Sequence, residues 1–178
     1  MLYVIILLVI ALIAAGTLRN IVYGRIDRRT VPELDLDRYM GVWYEIARFD
    51  NRFEKGLCAV TARYTLLGDG RVEVVNSGLN PRTGRKKTSI GRAKKTSHPG
   101  RLRVSFWGPF YSDYNVLELD KDYNWALVGS SSHRYLWILS RTPTLPEDTV
   151  VDICLKAEER GYRTEELRFI DQSRHMGN

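Results

Sequence analysis

The chain is poor in the residues that build metal centres and disulfide frameworks, with two cysteines and three histidines among 178 residues. His98, His133 and His175 are scattered without metal-ligand spacing, so no metal site is expected. No serine stands in a nucleophile elbow, and no residue pattern calls for a cofactor. Acidic residues are missing altogether between Glu73 and Asp113. That interval instead carries Arg82, Arg85, Lys86, Lys87, Arg92, Lys94, Lys95, Arg101 and Arg103. No basic residue precedes the one long apolar run, Leu2 to Leu18, as one normally does in a signal peptide.

What is present reads as short strands divided by turn signals. Val60 to Leu66 alternates apolar with polar and stops at Gly68-Asp69-Gly70, a turn of the type that supplies positive φ. Arg71 to Asn76 follows, then Thr88 to Thr96, where Gly91 marks a bend. Arg101 to Phe106 alternates most clearly, with Leu102, Val104 and Phe106 on one face. Tyr114 to Leu119, Trp125 to Gly129 and Tyr135 to Arg141 complete the series. With Trp43 to Phe49 this makes eight strands, and their short connections favour an up-and-down antiparallel barrel. A helix follows only after Pro146, with Val150, Ile153, Cys154 and Ala157 as an apolar stripe and Gly161 as its stop. Leu167 to Ile170 reads as a short edge strand.

Gly41-Val42-Trp43 and Arg141 fall at the start of the first strand and the end of the eighth. In a barrel these meet at one end, where the guanidinium can lie across the indole and form a structural plug. The loop from Asp50 to Leu57 then lies at the opposite end, and its Arg52, Phe53 and Lys55 suit a mouth that meets a head group.

Gly41 to Phe49, Phe53 to Leu57, Gly108-Pro109-Phe110-Tyr111, Tyr114 to Leu117 and Tyr135 to Pro143, in this order, resemble the bacterial lipocalins and their plant temperature-induced relatives. The resemblance spans about Leu36 to Asp171 and implies an all-β fold. It is an eight-stranded calyx with a C-terminal α-helix packed outside, closed at the Trp43 end and open at the other. It also implies a non-enzymatic protein of the cell envelope whose cavity holds a fatty acid, a lysophospholipid or phospholipid, or a similar amphiphile. The residues expected to face that cavity are Ala47, Phe49, Val60, Ala62, Tyr64, Val72, Val74, Leu102, Val104, Phe106, Tyr114, Val116 and Trp137.

The expected organisation is a hydrophobic anchor or signal segment over 1–18, a polar tether over 19–35, the barrel domain over 36–172 and a tail over 173–178. Leu2 to Leu18 would be about 25 Å long as a helix, near the thickness of a bilayer core, and an uncleaved anchor is preferred. Bacterial lipocalins of this type carry a lipidated cysteine just after such a run, whereas the first cysteine here is Cys58. Arg19, Arg25, Arg28 and Arg29 would hold the domain on the cytoplasmic side, against the envelope location that the resemblance implies.

The basic sector reads first as a solvated face, with an anionic membrane surface as the second reading. Nucleic acid is set aside, because no exposed aromatic platform interleaves the charges. Two alternatives stay open: a lipocalin-fold enzyme using Cys58 as a cavity thiol, and a basic surface-interaction module. A Cys58–Cys154 bridge is not expected, since it would need Cα atoms within about 7 Å and the barrel places the two near opposite ends.

Overall fold

The computed structural model describes residues 26–175. Eight strands run in order: β1 Gly41–Phe49, β2 Cys58–Leu66, β3 Val72–Leu79, β4 Lys86–Lys95, β5 Arg101–Trp107, β6 Phe110–Leu119, β7 Trp125–Gly129 and β8 Leu136–Ser140. Each pairs antiparallel with the next, and β8 returns to β1 through Tyr44↔Ser140 and Arg48↔Trp137, which closes the barrel. The expected strands are all present. β6 starts already at Phe110, because its ladder with β5 continues to Trp107↔Phe110 at the hairpin tip.

One short helix was not legible in the sequence. Helix α1, Leu36–Tyr39, is capped by the Asp35 carboxylate, which accepts from the amides of Asp37 and Arg38. It lies at the base and buries Tyr39 completely. Helix α2, Glu147–Glu159, carries acids in its first turn and ends at Gly161, whose φ is +89°. Ile153 and Ala157 of the expected stripe are fully buried against the barrel wall, and Cys154 packs at its edge.

Strand β9, Leu167–Phe169, adds to the upper part of β1 where β2 has parted from it. Gln172 spans that parting. Its Nε2 donates to the carbonyls of Glu45 at 2.9 Å and Val60 at 2.8 Å, joining two strands that no longer pair directly. The described end of the stretch expected as a tether lies along the wall: Ile26 joins the outer apolar cluster, and the Val31 amide donates to Val116 O at 3.0 Å.

Two apolar clusters result. One fills the barrel around Tyr39, Trp43, Tyr64, Val72, Leu102, Val116 and Val128. The other lies between the outer wall and α2, where Ile46, Ala47, Phe49, Leu127 and Ile138 meet Ile153, Ala157 and Tyr162.

Candidate ligand cavity and its mouth

Strand β1 decides what faces inward. Simple alternation from Trp43 would put Ala47 and Phe49 in the cavity. The register with β8 shifts between Glu45 and Ala47, so a β-bulge at Ile46 reverses the phase. Glu45 lies opposite Leu139 and Arg48 opposite Trp137, all on the inner face, while Ala47 lies opposite Ile138 on the outer one. The expectation that Ala47 and Phe49 line the cavity is therefore corrected: both pack beneath α2.

The cavity has a volume of about 90 Å³. Of the expected residues, Val60, Ala62, Tyr64, Val74, Val104, Phe106, Tyr114 and Trp137 border it. Val72, Leu102 and Val116 are inside the barrel but are packed around the base without reaching it. Glu45, Glu54, Thr61, Asn76, Val128 and Leu139 also border it and were not foreseen. The expected bend at Gly91 has a packing reason, because a Cβ there would come within 2.7 Å of the Phe106 ring.

The floor is polar but uncharged. Tyr114 Oη lies 2.7 Å from Tyr39 Oη and 2.9 Å from Tyr64 Oη, and burial pushes all three phenols well up, so they stay protonated. Below them is the plug. Trp43 Nε1 donates to Tyr39 O at 2.8 Å, and the Arg141 guanidinium sits 3.8 Å from the indole centroid. Arg141 donates from Nη1 to Val42 O at 3.0 Å, from Nη2 to Arg38 O at 2.7 Å and from Nε to Tyr123 O at 3.3 Å. Gly41, at φ +96°, leaves room for this, since a Cβ would sit 3.3 Å from Arg141 Nη1.

The mouth is built differently. Asn51 Oδ1 accepts from the amides of Phe53 at 3.0 Å and Glu54 at 3.1 Å, a side-chain turn that aims Glu54 into the barrel. Glu54 Oε2 then accepts from Asn51 Nδ2 at 2.6 Å and from Trp137 Nε1 at 3.2 Å. Arg48 donates from Nη1 to Glu45 Oε1 at 2.5 Å and from Nη2 to Glu54 O at 2.6 Å. Burial, together with the nearby Glu54, pushes the Glu45 carboxyl up to about 8 against the opposing pull of Arg48. The expected mouth residues Arg52, Phe53 and Lys55 all face solvent, with the Arg52 guanidinium 4.7 Å from the Phe53 ring centroid.

Strand direction sends three more turns to this end: 80–85, 108–109 and 130–135. Trp107 and Phe110 flank the second of these and are 73% and 80% exposed. Arg82, Arg85, Lys86 and Lys87 surround the first and are exposed as well.

Neither cysteine is bonded to the other. Cys58 is buried outside the cavity lining and its thiol donates to Leu79 O at 3.6 Å. Among the described residues no group of metal-ligating side chains is assembled, and no helix is long and apolar enough to cross a membrane. The segment expected as an anchor or signal, Leu2 to Leu18, lies outside the described residues.

A closed eight-stranded barrel with a plugged base, an outer C-terminal helix and an interior cavity defines a lipocalin. The lipocalin-like domain family matches residues 34–172, and the chain belongs to that family. It is 46% identical over 144 residues to the outer membrane lipoprotein Blc of Escherichia coli, covering 80% of this chain and 81% of that one. It is 39% identical over 156 residues to temperature-induced lipocalin-1 of Arabidopsis thaliana, covering 83% and 84%. Among solved structures it is similar to insecticyanin from the tobacco hornworm Manduca sexta, with a TM-score of 0.68 at 24% identity over 82% of this chain and 84% of that one.

Proposed function

We propose that the barrel binds fatty acids or lysophospholipids and stores or carries them at the cell envelope, without catalysing a reaction on them. The observation that carries this reading is the cavity itself. Apolar side chains of Val60, Ala62, Val104, Phe106 and Val128 form its walls, and its carboxyl groups, Glu45 and Glu54, are gathered with Arg48 at the mouth end. An amphiphile needs that division, with its chain among the walls and its head near the charges. At about 0.8 kcal/mol per buried methylene, ten methylenes contribute roughly 8 kcal/mol before ordering costs.

The cavity volume, about 90 Å³, is below the roughly 300–1,000 Å³ of sites that enclose whole small molecules. A long chain therefore enters only as the mouth residues move aside. The rim supports collection from a membrane, since exposed Phe53, Trp107 and Phe110 share it with Arg82, Arg85, Lys86 and Lys87. Leu2 to Leu18 is the natural attachment or signal segment. The envelope location rests on the outer membrane lipoproteins to which the chain is similar.

The test is competition. A fluorescent long-chain fatty acid is expected to bind the full-length chain saturably and to be displaced by unlabelled fatty acid or lysophospholipid. Signal that neither saturates nor competes would defeat the reading. Cys58 stands apart from the cavity lining, so thiol labelling of Cys58 should be slow whether or not ligand is present.

A further inference from the structure

The mouth holds a buried cation with one donor unused. The bulge at Ile46 turns Arg48 inward, where its side chain is only 3% exposed. Two of its nitrogens have acceptors, but Nε has none among the described residues. A buried, unpaired guanidinium donor is costly and calls for an explanation.

A second oddity lies beside it. Glu45 and Glu54 share a largely apolar cavity, where Glu54 disfavours the charge of Glu45. Glu45 is fixed on a strand and paired to Arg48. Glu54 belongs to no strand, and it reaches Trp137 and Asn51 from a loop. Its carboxylate can leave without breaking the ion pair that holds Glu45 to Arg48.

If it swings out to solvent, it vacates Trp137 Nε1 and Asn51 Nδ2, and the Nε of Arg48 is still free. Trp137 Nε1 and Asn51 Nδ2, which converge on one carboxylate oxygen of Glu54, then lack an acceptor beside the cavity, and Arg48 lies opposite Trp137 on the neighbouring strand. An incoming carboxylate would restore the charge that Glu54 removed, so the exchange buries no additional charge. We propose that Trp137 Nε1 and Asn51 Nδ2, with Arg48 Nε beside them, form a carboxylate subsite, that Glu54 holds its Trp137 and Asn51 donors before a ligand enters, and that the head of a fatty acid displaces Glu54 and also takes up Arg48 Nε.

This inference rests on the cavity reading and adds the ligand's head group and the residue that competes with it.

The test compares three probes of the same chain length on the full-length protein: a fatty acid, the corresponding alcohol and the corresponding lysophosphatidylcholine. Glu54→Ala should tighten the acid about tenfold more than the alcohol, as expected when one charge-assisted hydrogen-bonding competitor is removed. Glu54→Gln, which keeps the size but not the charge, should give a smaller gain of the same kind. Adding Trp137→Phe to Glu54→Ala should reduce the preference for the acid about threefold. Circular dichroism checks that each variant keeps the barrel.

Equal gains for acid and alcohol would overturn the proposal, because Glu54 would then be only a steric obstacle. Equal gains for acid and lysophosphatidylcholine would overturn the assignment to a carboxylate. In both cases the cavity reading survives, since the probes still bind. Failure of every probe to bind the wild-type chain would instead remove the cavity reading, and this proposal with it.

Discussion

The two ends of the barrel use the same chemistry, an arginine beside an aromatic ring, and arrive at opposite states. At the base each guanidinium nitrogen of Arg141 and the indole nitrogen of Trp43 donates to a backbone carbonyl. At the mouth Arg48 keeps an unused Nε, Asn76 Oδ1 is buried without a partner, and Glu45 is pushed up to about 8. Satisfied polar groups on backbone acceptors make a fixed joint. At the mouth the Arg48 guanidinium instead bonds a side chain on a strand and a carbonyl in a loop, two groups that can move separately.

The largest effects should come from the base. Trp43→Ala is expected to cost about 3–5 kcal/mol in urea unfolding, because it empties the centre of the inner cluster. Arg141→Ala should cost about 2 kcal/mol, since it strips the donors from three carbonyls and the stacked cation from the indole. Neither should alter the order in which ligands compete. A changed ligand order at unchanged stability would reverse the roles assigned to the two ends.

The next effect belongs to the mouth and depends on pH. Glu45 is raised from 4.5 to about 8, so the folded barrel favours its protonated form more than the unfolded chain does. That stabilisation is complete below 4.5 and is lost as the pH rises through 8. Glu45→Gln keeps the neutral form at every pH. Its melting temperature relative to wild type should therefore climb between about pH 5 and about pH 9, and a flat difference would mean that Glu45 stays ionised with Arg48. The smallest effect on folding is expected at the rim. Trp107→Ala with Phe110→Ala should change stability by no more than about 0.5 kcal/mol. The same pair should weaken sedimentation with anionic vesicles, and unchanged sedimentation would take the rim out of membrane contact.

Much of the base was legible in the sequence, because the positions of Gly41, Trp43 and Arg141 follow from counting strands. Helix α2 was equally legible, since Ile153 and Ala157 obey a helical period that packing only reinforced. The mouth was not. Period-two alternation carries no sign of the bulge at Ile46, so Ala47 and Phe49 were read into the cavity and Arg48 was not. Glu54 was hidden for another reason: its entry depends on a turn made by Asn51 and on a donor in Trp137, 83 positions away. An Asn three residues before a Glu in a short connecting loop was the only local hint. Helix α1 was missed because four residues give too short a pattern, although Asp35 stood in the capping position.

If the interior beneath Glu54 is a lipid site and the base is structure, filling that interior removes binding while the barrel stays folded. Isothermal titration of long-chain fatty acid into the wild-type chain and into Ala62→Trp, which fills the cavity from β2, tests it most directly. Saturable binding at one site per barrel is expected in the wild type, and its loss in a folded Ala62→Trp. Undiminished binding to the filled barrel would contradict it.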